Sequence, residues 1–122
     1  MVTKILIVDD HFVVRSGMSL LLEKKLNDVF VIGVEDFQEA LSACATVIFD
    51  LVILDINLPD GRKCQMIDDL RELQKDLKIL IFSAYDEDIY AVRYIEAGAN
   101  GYLNKFNNDT NSIINAIKTV LE

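Results

Sequence analysis

The hydrophobic residues of this chain form short uninterrupted runs, separated by stretches in which apolar and polar positions mix. Four runs consist entirely of Ile, Leu, Val and Phe, and they occupy positions 5–8, 29–32, 51–54 and 79–82. Runs of this length are too short for helices and are typical of strands that are buried on both faces of a parallel sheet. A shorter candidate at 101–103 completes a prediction of five strands.

Between these runs, apolar residues recur at steps of three and four positions, which is the spacing of an amphipathic helix. The first helix is predicted at about 12–26, and Ile89, Val92 and Ile95 mark the fourth. Gly98 is expected to end that fourth helix, because glycine readily adopts the left-handed backbone of a C-terminal cap. The same spacing elsewhere gives a prediction of five helices.

Two helix starts carry candidate capping residues. Asp36 precedes the second helix, and Asp109 or Thr110 lies near the start of the fifth. Strands and helices therefore alternate along the whole chain. This order predicts an α/β fold, an open and doubly wound sheet of five parallel strands with right-handed crossovers.

Length and charge narrow the class of protein. The chain has 122 residues, of which 52% are hydrophobic, and we predict one globular domain that spans 1–122. Its formal net charge of −8 argues against its gripping a nucleic-acid backbone by itself. The charge leaves open a DNA-binding domain attached outside these residues.

Cysteine usage and hydropathy bear on the compartment. Cys44 and Cys64 lack a C-x-x-C partner and a nearby histidine, which argues against a zinc site or disulfides and favours a reducing cytoplasm. No apolar run approaches the roughly 18 residues of a membrane span. Asp9 and Asp10 interrupt the first apolar run too early for a signal peptide. We therefore predict a cytoplasmic protein that does not cross a membrane.

Polar side chains collect where the predicted strands end. Asp9 and Asp10 follow the first run, Asp55 follows the third, Ser83 follows the fourth, and Lys105 lies just beyond the fifth. In an open parallel sheet, binding sites form beyond the carboxyl ends of the strands, at the point where the strand order reverses. If the order is 2-1-3-4-5, strands one and three are neighbours and the three aspartates converge.

Three converging carboxylates repel one another, and burial increases the cost of their charge. A divalent cation relieves that repulsion, and Mg²⁺ suits a site that offers carboxylate oxygens and no soft ligands. Lys105 adds a positive charge suited to a phosphoryl oxygen, and Ser83 adds a hydroxyl donor. The residues thus predict a magnesium site that receives a phosphoryl group.

The segments 7–11, 54–61, 83–84 and 97–105 resemble the successive motifs of the receiver domain of two-component response regulators. The resemblance extends over the whole chain. It implies a flavodoxin-like fold with strand order 2-1-3-4-5, and a sensor histidine kinase as the partner that donates the phosphoryl group. It further implies that the chain is not a conventional enzyme but catalyses its own aspartyl phosphorylation and dephosphorylation.

The resemblance assigns roles around the phosphorylation site. It implies that Asp55 is the phosphoacceptor and that Asp9, Asp10 and Asp55 hold Mg²⁺. Asn57 would add its backbone carbonyl to the metal, and Lys105 would bind the phosphoryl group.

The resemblance also implies a switch. Ser83 and Tyr102 would form the switch pair that responds to phosphorylation, Ser83 also contacting the phosphoryl group. One position departs from the family pattern, because Phe106 stands where receiver domains commonly have a proline after the conserved lysine. The conformation of the Lys105–Phe106 bond therefore stays open at this point.

The segment 10–18 resembles the NarL/FixJ subfamily, whose members usually carry a C-terminal helix-turn-helix. This resemblance implies transcription regulation, with DNA contacted only through a domain outside this chain, and homodimer formation on phosphorylation. The alternative is a stand-alone receiver domain that acts by docking on a partner protein.

A less favoured alternative is a phosphatase of the haloacid-dehalogenase type, which also uses an aspartate nucleophile and Mg²⁺. Such enzymes need a second aspartate two residues later as general acid, and Asn57 occupies that position. We place His11 outside the site, because a lone loop histidine is typically solvated or capping. Tyr90 and Tyr94, four positions apart, fit either a packed pair or a partner-binding stripe.

Overall fold

A computed structural model describes residues 1–85, 87–106 and 108–122, and for residues 87 and 88 it describes the backbone alone. Strands and helices alternate in it, as predicted. The strands are β1 (Thr3–Val8), β2 (Val29–Val34), β3 (Leu51–Leu54), β4 (Lys78–Ser83) and β5 (Gly101–Asn104). The helices are α1 (Phe12–Lys25), α2 (Phe37–Thr46), α3 (Gln65–Leu73), α4 (Glu87–Glu96) and α5 (Thr110–Leu121).

The five strands form one parallel sheet in the order β2-β1-β3-β4-β5. This confirms the predicted fold class and strand order. Because β1 and β3 are neighbours, the loops that follow them lie side by side, with Val8 paired to Leu54 at the carboxyl end.

Helices cover both faces of the sheet. Along β1, Leu6 and Val8 join the apolar cluster under α2, α3 and α4, while Ile5 and Ile7 join the cluster under α1 and α5. All four side chains are at most 1% exposed. Burial on both faces explains why the strands read as continuous apolar runs with no polar alternation.

The predicted caps are present. The side chain of Asp36 accepts a hydrogen bond from the backbone N–H of Glu39, and that of Asp109 accepts one from Ser112, each at 2.8 Å. Gly98 follows α4 with φ of 114°, a left-handed conformation that favours glycine.

The helix α4 presents apolar side chains to solvent. Ile89, Val92 and Ile95, whose spacing marks this helix in the sequence, are 70%, 62% and 44% exposed. Tyr94 is the buried side chain instead, and Tyr90 stacks on Tyr85 with ring centroids 4.8 Å apart. The apolar spacing therefore identified the helix but not its buried face, and the two tyrosines are packed, not displayed as a stripe.

The cysteines and the hydropathy of the helices agree with the expectations from composition. Cys44 and Cys64 are both free thiols, and burial raises the pKa of the Cys44 thiol to about 11. Within the part of the chain that the structure describes, no helix combines the length and hydropathy needed to span a membrane.

Asp60 caps a helix that is distant from it in the sequence. Its carboxylate, in the loop between β3 and α3, accepts hydrogen bonds from the backbone N–H groups of Phe37 at 2.9 Å and Gln38 at 3.0 Å. These bonds, above all the one from Phe37, hold the pKa of Asp60 below its usual value. Asp60 thus caps the start of α2 from a distant loop.

We expect Asp60→Ala to lower the free energy of unfolding by about 1 kcal/mol at neutral pH, the usual effect of losing an N-cap. Since the folded-state pKa is depressed, the stabilisation is present above the unfolded value of 3.8 and is lost as pH falls through the folded value. Urea denaturation at neutral and acidic pH measures both effects. Asp60→Asn, which keeps one acceptor oxygen, should lose less, and equal stability of the alanine variant and wild type at neutral pH would contradict the capping role.

Candidate functional site

Backbone hydrogen bonds tie the end of β1 to β2 and the end of β3 to β1. The Asp9 N–H donates to the carbonyl of Val34 at 3.1 Å, and the Asp55 N–H donates to the carbonyl of Val8 at 2.9 Å. These bonds continue the sheet ladder one residue beyond the strands. Asp9 and Asp55 are therefore fixed on adjacent strands, and they are only 1% and 2% exposed.

Lys105 lies between these two buried carboxylates. Its Nζ is 2.6 Å from Asp9 Oδ2 and 3.3 Å from Asp55 Oδ2, and its side chain is 6% exposed. The backbone fixes its origin, because the Lys105 N–H donates to the carbonyl of Ser83 at 2.8 Å. The sequence placed all of these residues at one edge of the sheet, and the structure brings them into contact there.

Burial sets the electrostatics of Asp55. Desolvation raises the pKa of its carboxyl group above the usual 3.8, and the nearby Asp9 carboxylate adds to that rise. A hydrogen bond from the Asn57 N–H to Asp55 Oδ1 at 3.0 Å and the charge of Lys105 act in the opposite direction without cancelling it. The ionised form of Asp55 is therefore destabilised relative to the protonated form in the metal-free protein.

We expect Asp55→Asn to raise the melting temperature of the metal-free protein by several degrees at neutral pH. The raised pKa means that the folded chain binds a proton more tightly than the unfolded chain, so stability falls as pH rises from 3.8 through the folded value. Thermal unfolding in EDTA across this range measures the effect. The gain should shrink towards acidic pH, and a gain that is absent at neutral pH or independent of pH would contradict this electrostatic interpretation.

Asp10 and His11 lie beside the buried aspartates and form one cluster of polar side chains with them. The Nδ1 of His11 lies 2.9 Å from Asp9 Oδ1 and 3.1 Å from Asp10 Oδ1. The His11 side chain is 63% exposed, so it is solvated as predicted. The turn after β1 nevertheless directs the ring back onto the two carboxylates, so His11 contacts the group from which the sequence analysis set it apart.

The donor set fits a hard divalent cation. Asp9, Asp10, His11 and Asp55 each offer a ligand atom, and these atoms all lie within 4.8 Å of one another. Among the described side chains, Asp9 Oδ2 is a buried oxygen that receives no properly directed hydrogen bond, although Lys105 Nζ makes a close ion pair with it. The group thus contains three carboxylates, of which Lys105 pairs with two, and the excess negative charge suits Mg²⁺.

The two predicted switch residues contact the same segment. Ser83 is fully buried, and its Oγ accepts a hydrogen bond from the Tyr85 N–H at 3.1 Å. Tyr102 is half-buried, its hydroxyl donates to the Tyr85 carbonyl at 3.3 Å, and its ring lies 6.3 Å from that of Tyr94. The segment after β4 is therefore tied to both residues.

Sequence reasoning missed two residues that organise the site. Arg15 donates from its guanidinium to the Asp9 carbonyl at 2.7 Å. Because side chains in the first turn of a helix point back towards its N-terminus, this contact could have been inferred from the position of Arg15 in α1. Asn104, buried at the end of β5, donates to the Tyr85 carbonyl at 2.9 Å and accepts from the Phe106 N–H at 2.8 Å.

The loop after β5 and an open cavity complete the site. The bond between Lys105 and Phe106, left open by the sequence, is trans. A cavity of ≈ 650 Å³ opens beside Asp55 and Lys105. Its other lining residues include Asp10, His11, Phe12, Asn57, Ala84 and Phe106. Asp55 is thus buried yet reachable from one side.

Comparison with known protein families gives a match over most of the chain. The family model described as "Response regulator receiver domain" matches residues 5–118. A curated relative, the Fimbriae Z protein of Salmonella typhimurium, is 38% identical over 117 residues, which make up 96% of this chain and 55% of the relative. The chain spans about half the length of the first curated relatives it matches.

Solved structures share the fold. A two-component response regulator of the LuxR family from Aurantimonas sp. SI85-9A1 matches with a TM-score of 0.88 and 30% identity, covering 99% of this chain and 86% of that one. A response regulator protein from Burkholderia pseudomallei was crystallised with a phosphorylated aspartic acid, a calcium ion and citrate. It matches with a TM-score of 0.83 and 27% identity, covering 98% of this chain and 68% of that one.

Proposed function

The chain belongs to the response regulator receiver domain family, and on that premise we propose that Asp55 accepts a phosphoryl group from a phosphohistidine of a sensor histidine kinase. The observation that carries the proposal is the placement of Lys105 Nζ between the buried carboxylates of Asp9 and Asp55, at the mouth of an open cavity. This arrangement gives a nucleophile, a phosphate-binding cation and room for a donor in one place.

In the proposed transfer, a carboxylate oxygen of Asp55 attacks phosphorus in line, an O–P bond forms, and the P–N bond to the histidine breaks. Such transition states are loose, so catalysis consists mainly of positioning and charge neutralisation. Asp9, Asp10, Asp55 and the backbone carbonyl of Asn57 would hold Mg²⁺, which when bound neutralises charge on the phosphoryl oxygens.

The other residues of the chain have separate tasks in this proposal. Lys105 moves its ammonium group from the carboxylates to a phosphoryl oxygen. The movement is short, because Nζ already lies 2.6 Å from Asp9 and 3.3 Å from Asp55, the residue that is phosphorylated. The Asn57 N–H orients Asp55 through Oδ1 and leaves Oδ2 for the phosphoryl group. Later attack by water removes the group, so the domain also limits its own signal.

Phosphorylation would then act as a switch. The new group carries nearly two negative charges and three acceptor oxygens. Ser83 turns its hydroxyl towards these oxygens and pulls inward the segment after β4, which is bonded to Ser83 through the Tyr85 N–H and to Tyr102 through the Tyr85 carbonyl. Taking such an equilibrium from 1:99 to 99:1 requires about 5.5 kcal/mol of differential stabilisation, which several charge-assisted contacts can supply in large part.

Incubation with Mg²⁺ and acetyl phosphate, followed by intact-mass measurement, tests the proposal. The wild-type chain should gain one phosphoryl group, because the acidic site and Lys105 together neutralise a small acyl phosphate as they would the natural donor. Addition of EDTA in excess should suppress the adduct. A chain that gains no phosphoryl group in Mg²⁺, or gains it equally in EDTA, would contradict the proposed site.

For the output, we infer a cytoplasmic protein in which this domain controls a C-terminal helix-turn-helix module and dimerises on phosphorylation. The resemblance of 10–18 to the NarL/FixJ subfamily supports this output. With a net charge of −8, the receiver domain itself is unsuited to binding DNA. The exposed apolar residues of α4 favour the alternative of docking on a separate partner protein. Phosphorylation-dependent DNA binding by the full-length product would decide between these outputs.

The phosphatase alternative lacks a general acid. Asn57, two residues after Asp55, carries an amide that cannot protonate a leaving alkoxide. Turnover of a phosphate monoester such as p-nitrophenyl phosphate would favour that alternative, and we expect none.

A further inference from the structure

We propose that His11 supplies a nitrogen ligand to the metal site, so that the site binds borderline divalent cations such as Ni²⁺ more tightly than its oxygen ligands alone would allow. The inference rests on the proposed function, in which the carboxylates of Asp9, Asp10 and Asp55 hold a divalent cation. It adds to that site a ligand that gives a preference among metals.

The spacing of the atoms supports coordination by His11. Its Nδ1 is 2.9 Å from Asp9 Oδ1 and 3.1 Å from Asp10 Oδ1. Neighbouring ligand atoms in an octahedral site with bonds of about 2.1 Å lie about 3.0 Å apart. The nitrogen and the two oxygens therefore already stand at the separations of adjacent ligands of one ion.

The two oxygens of Asp9 face different groups. Asp9 Oδ2 faces Lys105 Nζ at 2.6 Å, whereas Asp9 Oδ1 faces the His11 ring. A cation on the Oδ1 side therefore meets an imidazole and a carboxylate before it meets the ammonium group. This side is also the exposed one, with the side chains of Asp10 and His11 35% and 63% exposed.

The imidazole is held in place by its hydrogen bond to Asp9 and by the turn that carries it. His11 occupies the N-cap position of α1, yet its side chain makes no capping hydrogen bond. Its backbone N–H donates to Asp9 Oδ1 at 2.8 Å, and the Arg15 N–H donates to its carbonyl at 3.1 Å. The Arg15 guanidinium also binds the Asp9 carbonyl, so the turn that carries the ring is anchored on both sides.

Coordination by Nδ1 requires the tautomer in which Nε2 carries the proton, so the hydrogen bond from Nδ1 to the carboxylates gives way to the metal. Imidazole suits Ni²⁺, Zn²⁺ and Cu²⁺, whereas Mg²⁺ prefers oxygen ligands and retains water. A nitrogen ligand therefore raises the affinity of the site for Ni²⁺ far more than its affinity for Mg²⁺. The competing possibility is that His11 merely hydrogen-bonds the carboxylates and orients them.

His11→Asn separates these two roles, because asparagine can still donate a hydrogen bond to a carboxylate but removes the imidazole ligand. Isothermal titration of the untagged chain with Mg²⁺ and with Ni²⁺, separately, gives both affinities at one neutral pH. For His11→Asn we expect the Ni²⁺ affinity to fall at least about tenfold and the Mg²⁺ affinity to change by less than about threefold. In the Mn²⁺-loaded wild-type chain, pulsed electron paramagnetic resonance should show directly bound nitrogen, and that signal should vanish in the variant.

Equal factors of change for the two metals, or a wild-type Mn²⁺ spectrum without bound nitrogen, would overturn the role of His11. Asp55→Asn, titrated in parallel, distinguishes this outcome from failure of the metal site itself. If the wild-type chain binds Mg²⁺ no better than Asp55→Asn does, the proposed function fails; if it binds Mg²⁺ better but His11→Asn shows no metal preference, only the inference fails.

Discussion

Replacing Asp55 with Asn should abolish the phosphoryl adduct that the wild-type chain forms with acetyl phosphate and Mg²⁺. The amide oxygen is a poor nucleophile, and the substitution keeps the size and the hydrogen-bond acceptor that the Asn57 N–H uses at 3.0 Å. Nucleophilicity is therefore lost while the local fold is kept. The effect is a loss of all adduct in an intact-mass measurement, the largest change that we expect from any single substitution.

The matched control for this experiment is Asp68→Asn, which changes an exposed aspartate on α3 away from the strand ends. It should form the adduct at the wild-type rate. An adduct that persists in Asp55→Asn would place the phosphoryl group elsewhere and would contradict the assignment of the acceptor.

Replacing Lys105 with Met should have the second-largest effect, on stability and on phosphorylation together. Asp9 and Asp55 are each 2% exposed in their side chains, and loss of the ammonium group leaves both charges without their counter-ion. Removing one partner of a buried ion pair costs about 3–5 kcal/mol, a large part of the stability of a small domain. The rate of adduct formation should also fall by about 100-fold or more, because a charge that stabilises the transition state is lost.

Magnesium gives this second prediction a further test. In EDTA, Lys105→Met should be strongly destabilised towards urea, and saturating Mg²⁺ should stabilise the variant more than it stabilises wild type, since the cation replaces the missing positive charge. Lys75→Met, at an exposed position after α3, should match wild type in both conditions. A Lys105→Met variant with wild-type stability in EDTA, or with no added response to Mg²⁺, would show that the two ion pairs have little energetic weight.

The fold could be predicted from the sequence because its strongest signal is local. Runs such as Leu51–Leu54 are buried on both faces and so carry no polar interruption. The convergence of Asp9 and Asp55 needed the strand order as well, which the resemblance to receiver domains implied and the pairing of β1 with β3 confirms.

Individual side-chain contacts could not be predicted in this way. The contact of His11 with Asp9 and Asp10 depends on the direction of one tight turn. The capping of α2 by Asp60 depends on a loop more than twenty residues away in the sequence. The first contact depends on local backbone direction and the second on the packing of the whole domain, and residue spacing in the sequence encodes neither.

The buried face of α4 could not be predicted from the spacing of its apolar residues either. Apolar spacing at Ile89, Val92 and Ile95 would ordinarily indicate the inward face, yet these side chains are exposed and Tyr94 is buried. A helix with apolar residues on more than one face gives no unambiguous orientation from sequence. Its position relative to the sheet depends on which face fits the neighbouring Tyr102 and Ala99, which only the folded structure specifies.

The central claim is that the carboxylates of Asp9, Asp10 and Asp55 hold a divalent cation at the end of the sheet. A crystal of the wild-type chain soaked in Mn²⁺, a close substitute for Mg²⁺ with a usable anomalous signal, tests it most directly. We expect one strong anomalous peak within bonding distance of carboxylate oxygens of Asp9, Asp10 and Asp55 and of the Asn57 carbonyl. A map with no peak at this site, or with the three carboxylates turned away from a common point, would contradict the account.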